Sequence, residues 1–378
     1  MAAGGRVRAS NKELPAGPDG SPPDAADPPA HIAIRLALGF YGGGNAWLPQ
    51  TKTHAGFLAG VMSRRAHRQP PARPPPPTPK PPRNPAQPSP STRSDTMEFM
   101  PSLPEHPVAV FDSGVGGLTV LHELLVSLPT EDYVYLGDTA RLPYGDRTQA
   151  ELRTFAIEIA DHLLEAGAKL LVVACNSASA AALDVLELHL EARQVPIDVI
   201  GVITPATQLA VAGSRNGRIG LLATPATVAS GAYARAVRAV DPHVQLESVA
   251  CPGLASIIEA GLPFEDSLLE LVRGYCAPLK AAQVDQVILG CTHYPLIAPM
   301  LQRIAGRGVT LVTSGAGVAR SVERALAARD LLNPRLGEGE YRFQCTGDAE
   351  SFRALGTRFL QMPLGDVVHV ELTAAVTA

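Results

Sequence analysis

The chain has 378 residues, a formal net charge of −4 and five cysteines, so it is long enough for two domains with a sizeable core. Residues 97–378 are acidic, with 20 basic and 31 acidic residues, and show few aromatics and no basic stripe, which argues against nucleic acid as a partner. Five cysteines with no close C-x-x-C pair argue against a disulfide framework or a zinc site and favour a reducing, cytoplasmic setting.

Residues 1–96 form a leader whose composition differs from the rest. The leader holds 19 of the 35 prolines and has 12 basic and 5 acidic residues, so we expect it to be disordered or polyproline II. Its one apolar stretch, residues 32–47, contains an arginine and three successive glycines and is too broken to span a membrane. A cleavable signal and an upstream start site, with translation beginning at Met97 or Met100, are the alternatives.

Two short apolar runs, each of which stops at a cysteine, organise the rest of the chain. Residues 170–174 lead into Cys175, and residues 286–290 lead into Cys291. Such runs predict strands buried on both faces, with a loop opening at the carboxyl end. Ligands bind at that edge of open α/β sheets, so the two thiols predict one cleft approached from two sides. Two buried structural thiols are the alternative interpretation.

The first half of the folded part predicts a β-α alternation. Residues 107–111 form a strand, Asp112 opens a tight turn with the sequence Asp-Ser-Gly-Val-Gly-Gly, and a helix follows. The turn lacks the G-x-G-x-x-G spacing of dinucleotide sites, and its glycines serve either the turn itself or a close approach to a ligand. The remaining elements of this half are strands at 133–136, 170–174 and 196–203, with helices at 118–128, 150–166 and 178–192.

The second half repeats this order and then returns to the first. Its predicted elements are strands at 218–223, 244–249 and 285–290, a helix running from Thr224 to about residue 240, a short helix after Cys251 and a helix at 267–280. A strand at 308–314, a helix at 315–332, an edge strand at 341–345 and a helix at 349–360 follow.

The two halves predict a doubled architecture, because Asp112 corresponds to Thr224 and Cys175 to Cys291. We expect an α/β fold with two pseudo-symmetric three-layer domains, mostly parallel sheets and the active site in the cleft between them. The predicted first domain comprises residues 105–200 with 314–378, the second comprises 201–313, and residues 1–96 remain a disordered leader.

Two facing thiols suit a reaction that inverts a carbon centre, in which one group removes a proton and another donates one from the opposite face. Asp112 near Cys175 and His293 near Cys291 are neighbours that could tune these thiols. The sequence shows neither a lysine motif for pyridoxal phosphate nor a metal-ligand cluster. A racemisation without cofactor is therefore the predicted chemistry.

Four motifs carry a resemblance to a known family. Phe-Asp112-Ser-Gly-Val-Gly-Gly-Leu-Thr, Pro143-Tyr-Gly145, Ala-Cys175-Asn-Ser-Ala-Ser and Gly-Cys291-Thr-His-Tyr-Pro occur in this order. Together, over about residues 106–370, they resemble the glutamate racemases of the cofactor-independent aspartate/glutamate racemase family. The resemblance implies interconversion of L- and D-glutamate, no cofactor, a role in peptidoglycan synthesis in the bacterial cytoplasm, and a homodimer.

The same resemblance implies the site residues. Cys175 and Cys291 would be the acid/bases for D- and L-glutamate, assisted by Asp112 and His293, with Glu259 supporting the Cys291 side. The implied substrate contacts are Asp112, Ser113, Pro143, Tyr144, Gly145, Asn176, Ser177, Thr224, Thr227, Thr292 and His293. Ser177 stands where the family usually has threonine, which keeps the hydroxyl, and the leader lies outside the family pattern.

Hydroxyls, an amide and backbone N–H groups can hold the two carboxylates of glutamate without a cation clamp. A racemase for aspartate or a hydantoin, and a two-lobed binding protein with structural thiols, are the rival functions. Chiral assays with both amino acids would separate them.

Overall fold

The computed structural model describes residues 103–261 and 266–372; the leader, and the predictions made for it, lie outside these residues. The strands are β1 (Val108–Asp112), β2 (Tyr133–Gly137), β3 (Leu170–Val173), β4 (Asp198–Gly201), β5 (Arg218–Ala223), β6 (Gln245–Ala250), β7 (Gln286–Gly290), β8 (Thr310–Val312), β9 (Tyr341–Cys345) and β10 (Val367–His369). The helices are α1 (Leu118–Ser127), α2 (Gln149–Glu165), α3 (Asn176–Ala192), α4 (Ile203–Gly213), α5 (Pro225–Ser230), α6 (Ala232–Val240), α7 (Leu254–Glu259), α8 (Asp266–Ala281), α9 (Ala298–Ala305), α10 (Gly315–Ala328) and α11 (Ala349–Leu360).

The strands form two parallel sheets, as the sequence predicted for the fold class. The first has the order β10-β9-β2-β1-β3-β4 and the second the order β6-β5-β7-β8. Each strand pairing in the described residues is parallel. The strand β1 in the first sheet and β5 in the second occupy equivalent positions, and so do β3 and β7. Loops at the carboxyl ends of these four strands are therefore related in pairs.

The first sheet is buried on both faces because its side chains alternate between two apolar clusters. Val108 and Val110 of β1 pack with α1, α4, α10 and α11, whereas Ala109 and Phe111 pack with α2 and α3. The cluster on the Val108 side continues into the second sheet. Burying one Val or Leu side chain contributes about 1.5–3 kcal/mol, so strands this apolar are stable only in a sheet covered on both sides.

Several elements differ from the sequence predictions. The strand predicted to reach residue 203 ends at Gly201. The helix α4, which was not predicted, begins at Ile203, and Pro205 is compatible with it because a proline is tolerated in the first turn of a helix. The single helix predicted from Thr224 to about residue 240 is two helices, α5 and α6, broken at Gly231, whose φ is 67°. The strand β9 is not an edge strand, because the unpredicted strand β10 pairs with it on the outer side. The helix α9 was also not predicted.

The described part of the chain has no helix that is both long and apolar enough to cross a membrane.

Candidate active site

The segments that follow β1, β2, β3, β5, β6 and β7 meet in one cleft of about 570 Å³, including its part open to solvent. The predicted site residues that line this cleft are Ser113, Pro143, Tyr144, Gly145, Cys175, Asn176, Ser177, Thr224, Glu259, Cys291, Thr292 and His293. Asp112 and Thr227 lie directly behind the lining, where they hydrogen-bond to Thr292 and Ser177 respectively. The fold thus brings all of the predicted residues together.

The Cys175 thiol lies where β3 passes into α3. Cys175 is the N-cap residue of α3, and its sulfur accepts a hydrogen bond from the Ala178 N–H at 3.5 Å. The thiol also donates to Ser113 Oγ at 3.9 Å. Burial, followed by the negative charge of Asp112, raises the pKa of the Cys175 thiol well above its ordinary value. At neutral pH this sulfur therefore carries its proton.

Asp112 connects the two sides of the cleft. Its Oδ2 accepts hydrogen bonds from Gly114 N at 3.2 Å and from Gly117 N at 3.0 Å, which closes the glycine turn. Its Oδ1 lies 3.4 Å from the Thr292 hydroxyl, next to the second thiol. Burial raises the pKa of Asp112, although the charge of His293 and the two backbone N–H groups oppose that shift.

The second thiol, Cys291, has a histidine and a glutamate behind it. Its sulfur lies 3.8 Å from His293 Nδ1, and His293 Nε2 lies 3.4 Å from Glu259 Oε2. The ring of Phe359 meets the imidazole edge-on, with centroids 5.2 Å apart. Burial disfavours the charged imidazole, but the contacts with Cys291 and Glu259 and the charge of Asp112 outweigh it and raise the pKa of His293 to about 10. A positive charge therefore lies next to the Cys291 sulfur at neutral pH.

The glycine turn after β1 packs directly against the loop after β7. A Cβ atom on Gly116 would lie 2.4 Å from Thr292 Oγ1 and 2.6 Å from His293 Nδ1, which no real contact permits. A Cβ on Gly117 would lie 2.5 Å from the Asp112 Cβ. Gly116 is thus required for the close approach of the two halves of the site, whereas Gly117 lets the turn pack against residues of the first sheet.

Asp138, which the sequence reasoning missed, holds the loop that carries Tyr144. Its Oδ2 accepts hydrogen bonds from the Tyr144 hydroxyl and from Arg141 Nε, the latter at 2.6 Å, and its Oδ1 accepts one from Thr346 Oγ1 at 2.7 Å. Asp138 is fully buried and directly follows β2. Its position at a strand end, like that of Asp112, was the signal that could have identified it.

Three hydroxyls form a cluster that joins the first sheet's side of the cleft to the second's. Ser177 Oγ lies 2.9 Å from Thr224 Oγ1 and 3.3 Å from Thr227 Oγ1, and the two threonine hydroxyls lie 3.0 Å apart. Because Ser177 belongs to α3 while Thr224 caps α5, the cluster spans the cleft.

A second polar contact, behind the lining of the cleft, joins Asn176 to the second sheet's half. Its Oδ1 accepts a hydrogen bond of 2.7 Å from the hydroxyl of Tyr233, a residue of α6. Tyr233 was not predicted, and no sequence signal marks it, because an aromatic residue on an amphipathic helix is typical of ordinary core packing.

The other cysteines differ in position. Among the described residues all five cysteines are free and buried. Cys251 lines the cleft, and burial raises the pKa of its thiol to about 12. Cys276 lies in α8, and Cys345 ends β9.

Within residues 103–261 and 266–372 no group of three or more His, Cys, Asp or Glu side chains could hold a metal ion.

Comparison with known proteins identifies relatives over the part of the chain that forms this fold. A profile of the Asp/Glu/Hydantoin racemase family matches residues 119–322. The chain is 47% identical to a glutamate racemase of Parafrankia sp. (strain EAN1pec) over 256 residues, which is 67% of this chain and 90% of the relative. It is also 47% identical to a glutamate racemase of Mycobacterium tuberculosis over 269 residues, which is 71% of this chain and 97% of the relative.

Solved structures give the same result. The structure of glutamate racemase isoform RacE1 from Bacillus anthracis aligns with a TM-score of 0.67 and 36% identity, over 71% of this chain and 98% of that one. The glutamate racemase of Francisella tularensis in complex with D-glutamate aligns with a TM-score of 0.66 and 34% identity, over 71% and 99% of the two chains. This chain therefore belongs to the Asp/Glu/hydantoin racemase family, in the branch that contains these glutamate racemases.

Proposed function

We propose that this protein is a glutamate racemase that interconverts L- and D-glutamate with two thiols, Cys175 and Cys291, and without a cofactor. The observation that most supports this is the placement of the two buried thiols, at the equivalent ends of β3 and β7, in a single cleft. Membership of the racemase family and the similarity to glutamate racemases over almost their whole length support the choice of substrate.

In the L-to-D direction, the Cys291 thiolate takes the α-proton of L-glutamate. The C–H bond breaks, an S–H bond forms, and the electron pair stays on the substrate as a carbanion delocalised into its α-carboxylate. The Cys175 thiol then donates its proton to the opposite face, so a new C–H bond forms and Cys175 is left as a thiolate. Exchange of both sulfurs with solvent restores the starting state. D-glutamate reacts by the reverse sequence.

The neighbours of the thiols have different roles in this proposal. The imidazolium of His293, held by Glu259 at 3.4 Å, stabilises negative charge on Cys291. Asp112 favours the protonated form of Cys175, the form needed for donation in this direction. Each neighbour therefore favours the protonation state with which the L-to-D reaction begins.

The lining of the cleft offers donors for the two carboxylates of the substrate. Its side-chain donors and acceptors include the hydroxyls of Ser113, Ser177, Thr224 and Thr292 and the amide of Asn176, and the N-terminus of α3 adds backbone N–H groups. We expect Pro143, Tyr144 and Gly145 to close over the substrate from the loop after β2. Behind the lining, Thr227 would act through Ser177.

By the family relationship, we expect the D-glutamate to serve peptidoglycan biosynthesis in the cytoplasm, and the protein to act as a homodimer.

A chiral assay tests the proposal. The protein should racemise L-glutamate faster than L-aspartate, and in deuterated water the D-glutamate formed early should carry deuterium at its α-carbon while the remaining L-glutamate stays protiated. Faster turnover of aspartate would contradict the choice of substrate, and no turnover of either would favour a binding protein. Product that retains substantial protium would contradict the two-thiol mechanism alone.

A further inference from the structure

The hydrogen bond between Tyr233 and Asn176 joins two residues that are almost completely buried. Tyr233 is 1% exposed and Asn176 is 2% exposed, and the Tyr233 hydroxyl donates to Asn176 Oδ1 at 2.7 Å. Asn176 is the first residue of α3 and lines the cleft, whereas Tyr233 lies in α6, behind the lining. The contact is therefore one between a cleft residue and a residue that supports it.

The other end of the same amide has no partner. Asn176 Nδ2 is buried and makes no hydrogen bond to any of the described residues. Burying an N–H group without a hydrogen-bond partner costs free energy, and a bound ligand that accepts from the group removes this cost. In a cleft that binds a dicarboxylate, the partner that fits an N–H donor is a carboxylate oxygen.

The orientation of the amide decides whether it attracts or repels that carboxylate. With Oδ1 bonded to Tyr233, the Nδ2 donor is free for the ligand. A rotation of the amide by half a turn would present the carbonyl oxygen to the carboxylate and would turn Nδ2 toward the Tyr233 oxygen, so the phenol would have to accept a hydrogen bond and would no longer donate to Oδ1. Burial raises the pKa of Tyr233 well above its ordinary value, so the phenol keeps the proton that it donates.

We propose that Tyr233 is a positioning residue, which acts on Asn176 from behind the cleft lining and keeps the amide Nδ2 directed at a carboxylate of the substrate. The proposal rests on the function proposed above, since it takes glutamate as the ligand. It adds a second residue, far from Asn176 in sequence, to the set that determines substrate affinity.

The variant Tyr233→Phe tests this inference, because it removes the hydroxyl and keeps the ring. We expect KM for both enantiomers of glutamate to rise about tenfold while kcat changes by less than about threefold, the pattern of a lost binding contact. The matched control is Tyr133→Phe. Tyr133 is equally buried, its hydroxyl donates to Leu124 O and Leu128 O, and it is the first residue of β2, at the end of the strand opposite the cleft. This control should lose comparable thermal stability and keep the wild-type KM.

A double-mutant cycle shows whether Tyr233 acts through Asn176. We expect Asn176→Ala to raise KM at least as much as Tyr233→Phe, and the double variant to be no worse than Asn176→Ala alone, because the second change then has nothing left to position. Additive effects, or a KM for Tyr233→Phe equal to that of the wild type, would overturn the inference. A wild-type protein that neither binds nor racemises glutamate would overturn the proposed function instead.

Discussion

The two thiols of the cleft have neighbours of opposite charge. Cys175 lies near the Asp112 carboxylate, and Cys291 lies 3.8 Å from the imidazole of His293. A carboxylate disfavours a thiolate and an imidazolium favours one, so at the scale of single residues these surroundings suit Cys175 to donate a proton and Cys291 to accept one in the reaction proposed above. Removal of a proton from one face of a carbon and donation to the opposite face need one group of each kind.

Replacing either thiol should remove catalysis and leave the fold intact. We expect Cys175→Ser and Cys291→Ser each to lower kcat by a factor on the order of 10³, because every turnover uses both sulfurs and a serine hydroxyl is a far weaker acid that does not ionise near neutral pH to act as a base. The measurement is racemisation of L-glutamate, with circular dichroism to confirm folding. Cys276→Ser, in α8 and outside the cleft, should keep near-normal turnover. Substantial activity in either of the first two variants would point to another group.

The raised pKa of His293 also predicts a dependence of stability on pH. Its pKa is about 10 in the folded chain against 6.5 for an ordinary histidine, so the folded state holds a proton that the unfolded state releases between these values. The stabilisation is complete below pH 6.5 and is lost as pH rises through about 10. The difference in unfolding free energy between the wild type and His293→Asn, measured by urea denaturation, should therefore shrink over that range. A difference that grows with pH would contradict the assignment of a charged imidazole.

At the scale of elements, the turn between β1 and α1 determines how closely the two halves of the site approach. We expect Gly116→Ala to reduce kcat/KM strongly, because its methyl group would displace Thr292 and His293. Gly274→Ala is the control, since Gly274 lies within α8 and a Cβ there meets nothing within 4 Å. It should retain activity and gain about 0.5–1 kcal/mol of stability. Equal activity of the two variants would show that the turn tolerates a side chain.

The sequence predicted the elements that carry the thiols better than those around them. The strands β1, β3 and β7 are continuous apolar runs that end at polar residues, a pattern with few alternative interpretations. The helix α4 was missed because the apolar residues of β4 continue into it without a break. The strand β10 has only three residues, and its pairing with β9 depends on the fold of the whole sheet.

The residues of the site, like the elements, could be predicted only in part. Asp112, Cys175 and Cys291 could be predicted because each lies at the end of a strand. Tyr233 acts on a residue 57 positions away, and Thr346 contacts Asp138 across 208 positions. Contacts of this kind exist only in the folded chain, and neither an aromatic residue in a helix nor a threonine after a strand indicates them in advance.

At the scale of the whole molecule, the described fold contains its own core and its own site. Nearly the full length of the relatives, 97% for Mycobacterium tuberculosis and 98% for the Bacillus anthracis structure, aligns with about 71% of this chain. A chain that begins at Met97 should therefore keep the kcat and the melting temperature of the full-length protein. Chiral assay and thermal denaturation of both proteins would measure this. Aggregation or inactivity of the shorter protein would show that residues 1–96 contribute to the fold.

Thermodynamics limits how far the unequal surroundings of Cys175 and Cys291 can make the enzyme treat the two enantiomers differently. L- and D-glutamate are mirror images with equal free energies in water, so the equilibrium constant between them is one. Detailed balance then requires kcat/KM to be the same in both directions, whatever charges lie beside the two sulfurs. Asp112 and His293 can therefore change the ratio of the two kcat values only together with an equal change in the ratio of the two KM values: the enantiomer that saturates the cleft at lower concentration must also be the one that is converted more slowly.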